Sequence, residues 1–253
     1  MDGRLHVRGP LMPVKATPPN VVGLLRGSDP VLRDEYVVVS AHFDHLGTGP
    51  VDETGDSIYN GADDNASGTA AVLEVAQALA SLPTAPARSV LFLLVSGEEK
   101  GLLGSSGYMA DPTVPLSGIV ADINMDMIGR NDPGQVIGVG KEYSTLGDTA
   151  LTLAGRVPVG LAIIDDPVPD EHLFSRSDQV EFACRNIPAL LLTTGLHEDY
   201  HQASDEPSRL DMDKAARVAR LVFHLVAHVA NAGGKPSWTS AGTSLVQGYK
   251  GCP

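Results

Sequence analysis

The stretch Tyr36-Val37-Val38-Val39-Ser40-Ala41-His42-Phe43-Asp44-His45 is a β-branched run that ends on a cluster of imidazoles and a carboxylate. Valines at consecutive positions put apolar side chains on both faces, as a strand buried between two helical layers requires. The same pattern recurs at residues 90–95, 118–123 and 188–193, and residues 21–25 are expected to pair beside residues 36–40. Between them, residues 67–82 read as a buried helix, with Asn65 and Ser67 available as caps and Pro83 beyond its end. Residues 211–231 read as a second helix, because Ala215, Val218, Val222, Leu225 and Val229 recur at helical spacing. Strands alternating with helices predict an α/β three-layer sandwich: a mixed, mainly parallel central sheet flanked by helices.

No composition break interrupts residues 20–232, so residues 1–232 are expected to form a single domain, with residues 4–15 as edge strands. Residues 233–253 are rich in Ser, Thr and Gly and read as a tail or wrapping arm, with Trp238 and Tyr249 as its anchors. At 253 residues and 43% hydrophobic, the chain carries enough apolar material for a stable core. A formal charge of -13 repels phosphate backbones and anionic lipid, which argues against nucleic-acid and membrane partners. Cys184 and Cys252 have neither metal-ligand spacing nor the look of a disulfide framework, and Cys184 is expected to be a buried, inert thiol. The first residues lack a signal-peptide pattern; a longer precursor, secreted or periplasmic, is the expectation.

Acids and histidines gather just beyond the predicted strands: His42 to His45, Glu98-Glu99, Asp126, and Glu198-Asp199-Tyr200-His201. In open α/β sheets the carboxyl ends of the strands line the ligand crevice, so these clusters should converge. Asp63-Asp64, just before the first helix, joins them. Imidazoles with several carboxylates suit zinc, cobalt or manganese, and more candidate ligands than one ion needs points to two ions. Such a pair activates water and polarises a carbonyl, which is chemistry for amide hydrolysis.

The motifs His42-Phe43-Asp44, Asp64-Asn65-Ala66-Ser67-Gly68, Glu98-Glu99, Asp126-Met127 and Tyr200-His201 stand in the order of the M28 co-catalytic zinc aminopeptidases, which the chain resembles from Asn20 to Ala232. Ser175-Arg176-Ser177-Asp178 and Ile187-Pro188-Ala189 extend the likeness. The resemblance implies two Zn2+ per chain, with Co2+ or Mn2+ as substitutes. It makes His42 and Asp126 ligands of one ion, Glu99 and His201 ligands of the other, and Asp64 the bridge. It makes Glu98 the general base toward a hydroxide between the ions, Asp44 the hydrogen-bond partner that fixes the His42 ring, and Tyr200 the oxyanion donor. The implied substrates are peptides with a free N-terminus, trimmed one residue at a time. A single-zinc cyclase, a carboxypeptidase or deacylase relative, and a non-catalytic binding module of the same fold are the competing readings.

Asp63 is assigned a solvated or supporting role, since only Asp64 keeps the motif's distance to Ser67-Gly68. His45 is read as a packed or supporting residue rather than a ligand. His224 and His228 are read as surface residues of the last helix, and His172 and His197 as loop residues near the cleft rim. Asp178 follows a Ser-Arg-Ser run, and where many family members carry a His after this Asp, this chain has Gln179, a departure that touches the pocket edge as a support for the site and bears on substrate preference, not on the metal centre.

Overall fold

The three valines at 37–39 are fully buried in the middle of a seven-stranded sheet. The structure is a computed structural model and describes residues 18–248. In chain order the elements are β1 (Val21–Leu25), β2 (Tyr36–His42), the short hairpin β3 (Gly47–Thr48) and β4 (Ile58–Tyr59), α1 (Gly68–Ala80), β5 (Ser89–Val95) and α2 (Leu103–Ala110). Then come β6 (Ile119–Met125), β7 (Gln135–Val139), α3 (Thr145–Ala154), β8 (Ala162–Ile164), α4 (Gln179–Cys184), β9 (Ala189–Thr193), α5 (Met212–Asn231) and α6 (Ser240–Gly248). The sheet order is β1-β5-β2-β6-β9-β7-β8. β5, β2, β6 and β9 run parallel, so their carboxyl ends share one edge of the molecule, while β1 and the β7-β8 pair run against their neighbours. This is the mixed, mainly parallel sheet that the strand pattern predicts.

One face of the sheet packs on α1, α3 and α5 through a core containing Val37, Val39, Val72, Val222 and Leu225. The other carries Val38, Leu91 and Leu93 against Tyr108 of α2 and Phe182 of α4. Alternate residues of β2 thus enter opposite cores, which is why its run is apolar without a break. β1 does not lie beside β2. Both flanks of β2 are taken by β5 and β6, and β1 pairs with the free edge of β5, Val21 opposite Leu94.

The stretch after Gly234 is more ordered than its composition suggests. Trp238 bridges to Ser144, the N–H of Thr145 donates to Ser237 O at 2.9 Å, and α6 follows. The edge strands expected at residues 4–15 and the anchor expected at Tyr249 lie outside the described residues. Cys184 is disulfide-bonded, so the expectation of an inert thiol does not hold.

Arg88, just before β5, is 1% exposed. Its Nε donates to Glu35 Oε2 at 2.7 Å, and its Nη1 donates to Val229 O at 2.9 Å and Ala232 O at 2.5 Å, closing the C-terminus of α5 onto the sheet. Those carbonyls have no helical partner of their own. Replacing Arg88 with Met should therefore lower unfolding free energy by about 3 kcal/mol, read from urea denaturation; a loss inside the scatter of surface substitutions would refute this role.

Candidate active site

His42 ends β2 and is 1% exposed. Its Nδ1 lies 3.1 Å from the main-chain oxygen of Asp44, an arrangement in which Nδ1 donates and Nε2 presents a lone pair to the site. Nε2 faces Asp64 Oδ1 at 3.2 Å and Asp126 Oδ1 at 3.4 Å. The carboxylate of Asp44 is 3.7 Å from the ring, too far for the hydrogen bond expected of it. It instead accepts the backbone N–H groups of Glu98 at 3.1 Å and Glu99 at 3.4 Å. Asp44 therefore fixes His42 through its main chain and the glutamate turn through its side chain.

Asp64 sits in a tight turn over Ala62–Ser67 that leads into α1. The buried carboxylate of Asp205 accepts the N–H groups of Asp63, at 3.0 Å, and Asp64, at 3.1 Å. Asn65 ties the turn to the end of β6 by donating to Met125 O at 2.9 Å, and accepts from Gly68 N at 3.0 Å. A Cβ on Gly68 would fall 2.3 Å from Asn65 Oδ1 and 2.5 Å from Met125 O, so only glycine fits there. Asp63 is fully buried behind the turn, not solvated: Oδ1 accepts from Gly129 N at 2.7 Å and Oδ2 faces His197 Nε2 at 3.2 Å. The His197 side chain, 3% exposed, accordingly lies beneath the site rather than on its rim. Burial opposes the charge of Asp64, yet His201 and His42 hold its carboxyl well below the usual range.

The Glu98–Lys100 turn that follows β5 is bracketed by Gly97 (φ 80°) and Gly101 (φ 94°), both in the left-handed region. It sends its two carboxylates different ways. Glu99 faces His201 Nε2 through Oε2 at 3.1 Å and His45 Nδ1 through Oε1 at 2.8 Å. Glu98 lines the cavity with Asp64 and Asp126. Burial, with Asp126 adding, pushes its carboxyl up to about 9.

Asp126 follows β6 and accepts Ser177 Oγ–H through Oδ2 at 2.7 Å, which leaves Oδ1 for the site. Asn124 Nδ2 donates to both Ser177 Oγ and Gln179 Oε1 at 2.9 Å. Gln179 is fully buried and donates to Phe174 O at 2.7 Å. It therefore has the supporting role expected of it, from behind the site and not from the pocket edge. Neighbouring Asp178 is also fully buried, with Ser105 on Oδ1 at 2.6 Å and nothing on Oδ2.

Burial pushes the Asp178 carboxyl from an ordinary 3.8 up to about 7, so between those values the unfolded chain binds fewer protons and stability falls as pH rises. Asp178→Asn in the cation-free protein should gain on wild type across that window, by on the order of 4 kcal/mol at its upper end, and hold the gain above it. A difference in urea midpoint that ignores pH would refute this.

Tyr200 stacks on His201 with ring centroids 3.9 Å apart. Burial pushes its phenol up to about 12, so it stays a hydrogen-bond donor. Asp64 and Glu99, accepting from His201, raise that imidazole to about 9. Arg176 Nη2 lies 3.4 Å from Tyr200 Oη and its side chain lines the same cavity. The sequence motif contained Arg176 and Ser177 but assigned neither a role; Asp205, far along the chain from Asp64, gave no signal at all. His224 and His228 lie on α5, and His172 is exposed on a different cavity.

The donor set fits divalent cations. His42 Nε2, Asp126 Oδ1, His45 Nδ1 and Glu99 Oε1 are buried without a hydrogen-bond partner. His42, Asp64 and Asp126 present ligand atoms within 4.8 Å of one another, as do His45, Asp64 and Glu99, and Asp64 belongs to both groups. Nitrogen and carboxylate oxygen in this mixture match the preferences of zinc and its neighbours. A protonated His201 would have to give up its proton to such an ion.

The family model described as Peptidase family M28 matches residues 20–226. The chain is 32% identical over 158 residues to a "Probable zinc metalloprotease" of Pyrenophora tritici-repentis (strain Pt-1C-BFP), covering 59% of this chain and 34% of that protein. It is 31% identical over 175 residues to the "Probable lipoprotein aminopeptidase LpqL" of Mycobacterium tuberculosis (strain ATCC 25618 / H37Rv), covering 63% and 31%. It thus spans about a third of the length of these curated relatives. The solved aminopeptidase from Aneurinibacillus sp. strain AM-1 superposes with a TM-score of 0.67 at 23% identity over 85% of this chain and 48% of that one, a likeness of fold.

Proposed function

Given that the chain belongs to peptidase family M28, we propose that it is a zinc-dependent aminopeptidase acting on peptides with a free N-terminus. The observation that carries the reading is the placement of Asp64 between two groups of cation-type donors, with the Glu98 carboxyl facing the same cavity. His42 and Asp126 would hold one zinc ion, Glu99 and His201 the other, and Asp64 both. Zinc so placed supplies Lewis acidity toward the peptide carbonyl and lowers the pKa of water.

The side chains do the rest. With cations held beside it the Glu98 carboxyl would return to its ionised form, in which it takes a proton from the attacking water and returns it to the leaving amine, the service of a carboxylate that is not itself a ligand. Tyr200 Oη donates to the carbonyl oxygen as negative charge develops there. Asp44 acts as a positioning residue, since its carboxylate holds the N–H groups of both glutamates. The surplus of carboxylates attracts the cationic end of a peptide, which favours exopeptidase over internal cleavage. We place the catalytic unit in residues 1–232 with residues 233–253 as an arm. Secretion or a periplasmic home is supported by the lipoprotein name of one relative, and no helix among the described residues is long and apolar enough to cross a membrane.

The test is a mass-spectrometric time course on one zinc-loaded sample, with a peptide offered both free and N-acetylated. Stepwise loss of single residues from the free form alone is expected. Cleavage of both forms would replace the reading with an endopeptidase or carboxypeptidase. Loss of ammonia from an N-terminal glutamine without loss of residues would indicate a cyclase, and silence on every peptide a binding module.

A further inference from the structure

We infer that His45 is a cation ligand in its own right, a further protein donor on the Glu99 side of the pair. The inference rests on the two-cation reading above and adds a residue that reading does not require. The His45 side chain is 7% exposed, and neither ring nitrogen has a hydrogen-bond partner. Leaving Nδ1 of a buried imidazole unpaired costs on the order of 1–3 kcal/mol, which a bound cation would offset at that nitrogen.

The environment of Nδ1 points the same way. It lies 2.8 Å from Glu99 Oε1 and 3.9 Å from Asp64 Oδ2, yet it and Glu99 Oε1 are not aligned to share a hydrogen. A ring N–H donor demands near-linear approach. Two polar atoms that come this close without that alignment both face a third point. His42 Nε2 behaves identically: it sits 3.2 Å from Asp64 and 3.4 Å from Asp126, and it too has no hydrogen-bond partner. The same signature at two histidines, one on each side of Asp64, gives them the same role.

The backbone holds the ring in place. Gly61, at φ 64°, packs directly on it, and a Cβ there would fall 2.5 Å from the His45 Cγ. His201 closes the other side edge-on, with ring centroids 5.7 Å apart.

The two cation positions then differ in kind. On the Glu99 side His45, Glu99 and the shared Asp64 present mutually close donors, and His201 faces the same two carboxylates at 3.1 and 3.2 Å; together they would make a full set of protein donors for zinc. The His42 side has His42, Asp126 and Asp64, and it faces the cavity lined by Glu98. A closed set holds its ion, whereas an incomplete one leaves room for water and substrate. The Glu99 side should fill first and exchange slowly; the His42 side should fill second and carry the open position.

Cobalt(II) added stepwise to the metal-free full chain tests this by proton NMR, independently of peptide hydrolysis. Each coordinated imidazole keeps one ring N–H, seen as a strongly shifted, exchangeable resonance. The expected count is two after the first equivalent, from His45 and His201, and three after the second, when His42 joins. His45→Gln should remove one of the first two and weaken the first equivalent by more than about a hundredfold, beyond what loss of a mere supporting hydrogen bond costs. Two equivalents bound with only two such resonances in the wild type would overturn the role of His45 and leave the peptidase reading standing. No cobalt binding at all would overturn both.

Discussion

Glu98→Gln should lower kcat by about a thousandfold and leave the bound cations in place. The reason lies in the division of labour within one short turn. The carboxyl of Glu98 belongs to neither donor group and lines the cavity, while that of its neighbour Glu99 turns inward to His45 and His201. What positions Glu98 is its backbone N–H, held by Asp44 at 3.1 Å, and an amide side chain does not disturb that bond. Gln matches Glu in shape and lacks only the ability to take a proton. The loss should therefore appear in kcat with KM nearly unchanged. Glu99→Gln should behave otherwise, losing activity because it loses cation. Wild-type turnover by a fully loaded Glu98→Gln protein would remove Glu98 from the mechanism.

The contrast between these adjacent residues also shows what a sequence can and cannot disclose. That His42, Glu98-Glu99 and Asp126 would meet was legible because each follows a β-branched or leucine-rich run, and parallel strands bring their carboxyl ends together. The direction each side chain takes was not, since it depends on turns whose geometry is fixed by distant partners. The family motif puts the Asp44 carboxylate on the His42 ring, whereas here it binds the next crossover's backbone. Asp63 and His197 pair beneath the site because Asp205 and Gly129, remote in sequence, shape the loops around them. For the fold, the long apolar strands carried the signal. α2, with Gly104 and Gly107 among its eight residues, carried little, because glycine disfavours an isolated helix and this one exists by packing: a Cβ on Gly104 would fall 2.4 Å from Ser96 O. α6, with glycines at 242 and 248, was hidden in the same way. The place of β1 at the edge of β5 was illegible for another reason, since which strand offers a free edge is decided by the whole sheet.

Asp64→Asn should have the larger effect on cation binding, because Asp64 alone joins both donor groups. Its Oδ1 faces His42 at 3.2 Å and its Oδ2 faces His201 at 3.2 Å, so the two oxygens serve opposite sides. An amide keeps the size but loses the charge and replaces one acceptor with a donor pointed at the ion. Both affinities should fall together by more than about a hundredfold, whereas Asp126→Asn should weaken only the His42 side. The N–H groups that Asp205 holds are unchanged by the substitution, so the turn keeps its shape and the loss can be read as one of ligation. Thermal unfolding with and without zinc measures this directly. Zinc at a hundred times its dissociation constant should stabilise the wild type by about 2.7 kcal/mol for each site it fills. In Asp64→Asn that increment should vanish for both sites, and activity with it. If the variant keeps one full increment, Asp64 serves a single ion and the shared-carboxylate arrangement is wrong. If it keeps both, the cations lie elsewhere, and the two donor groups around Asp64 have some other use.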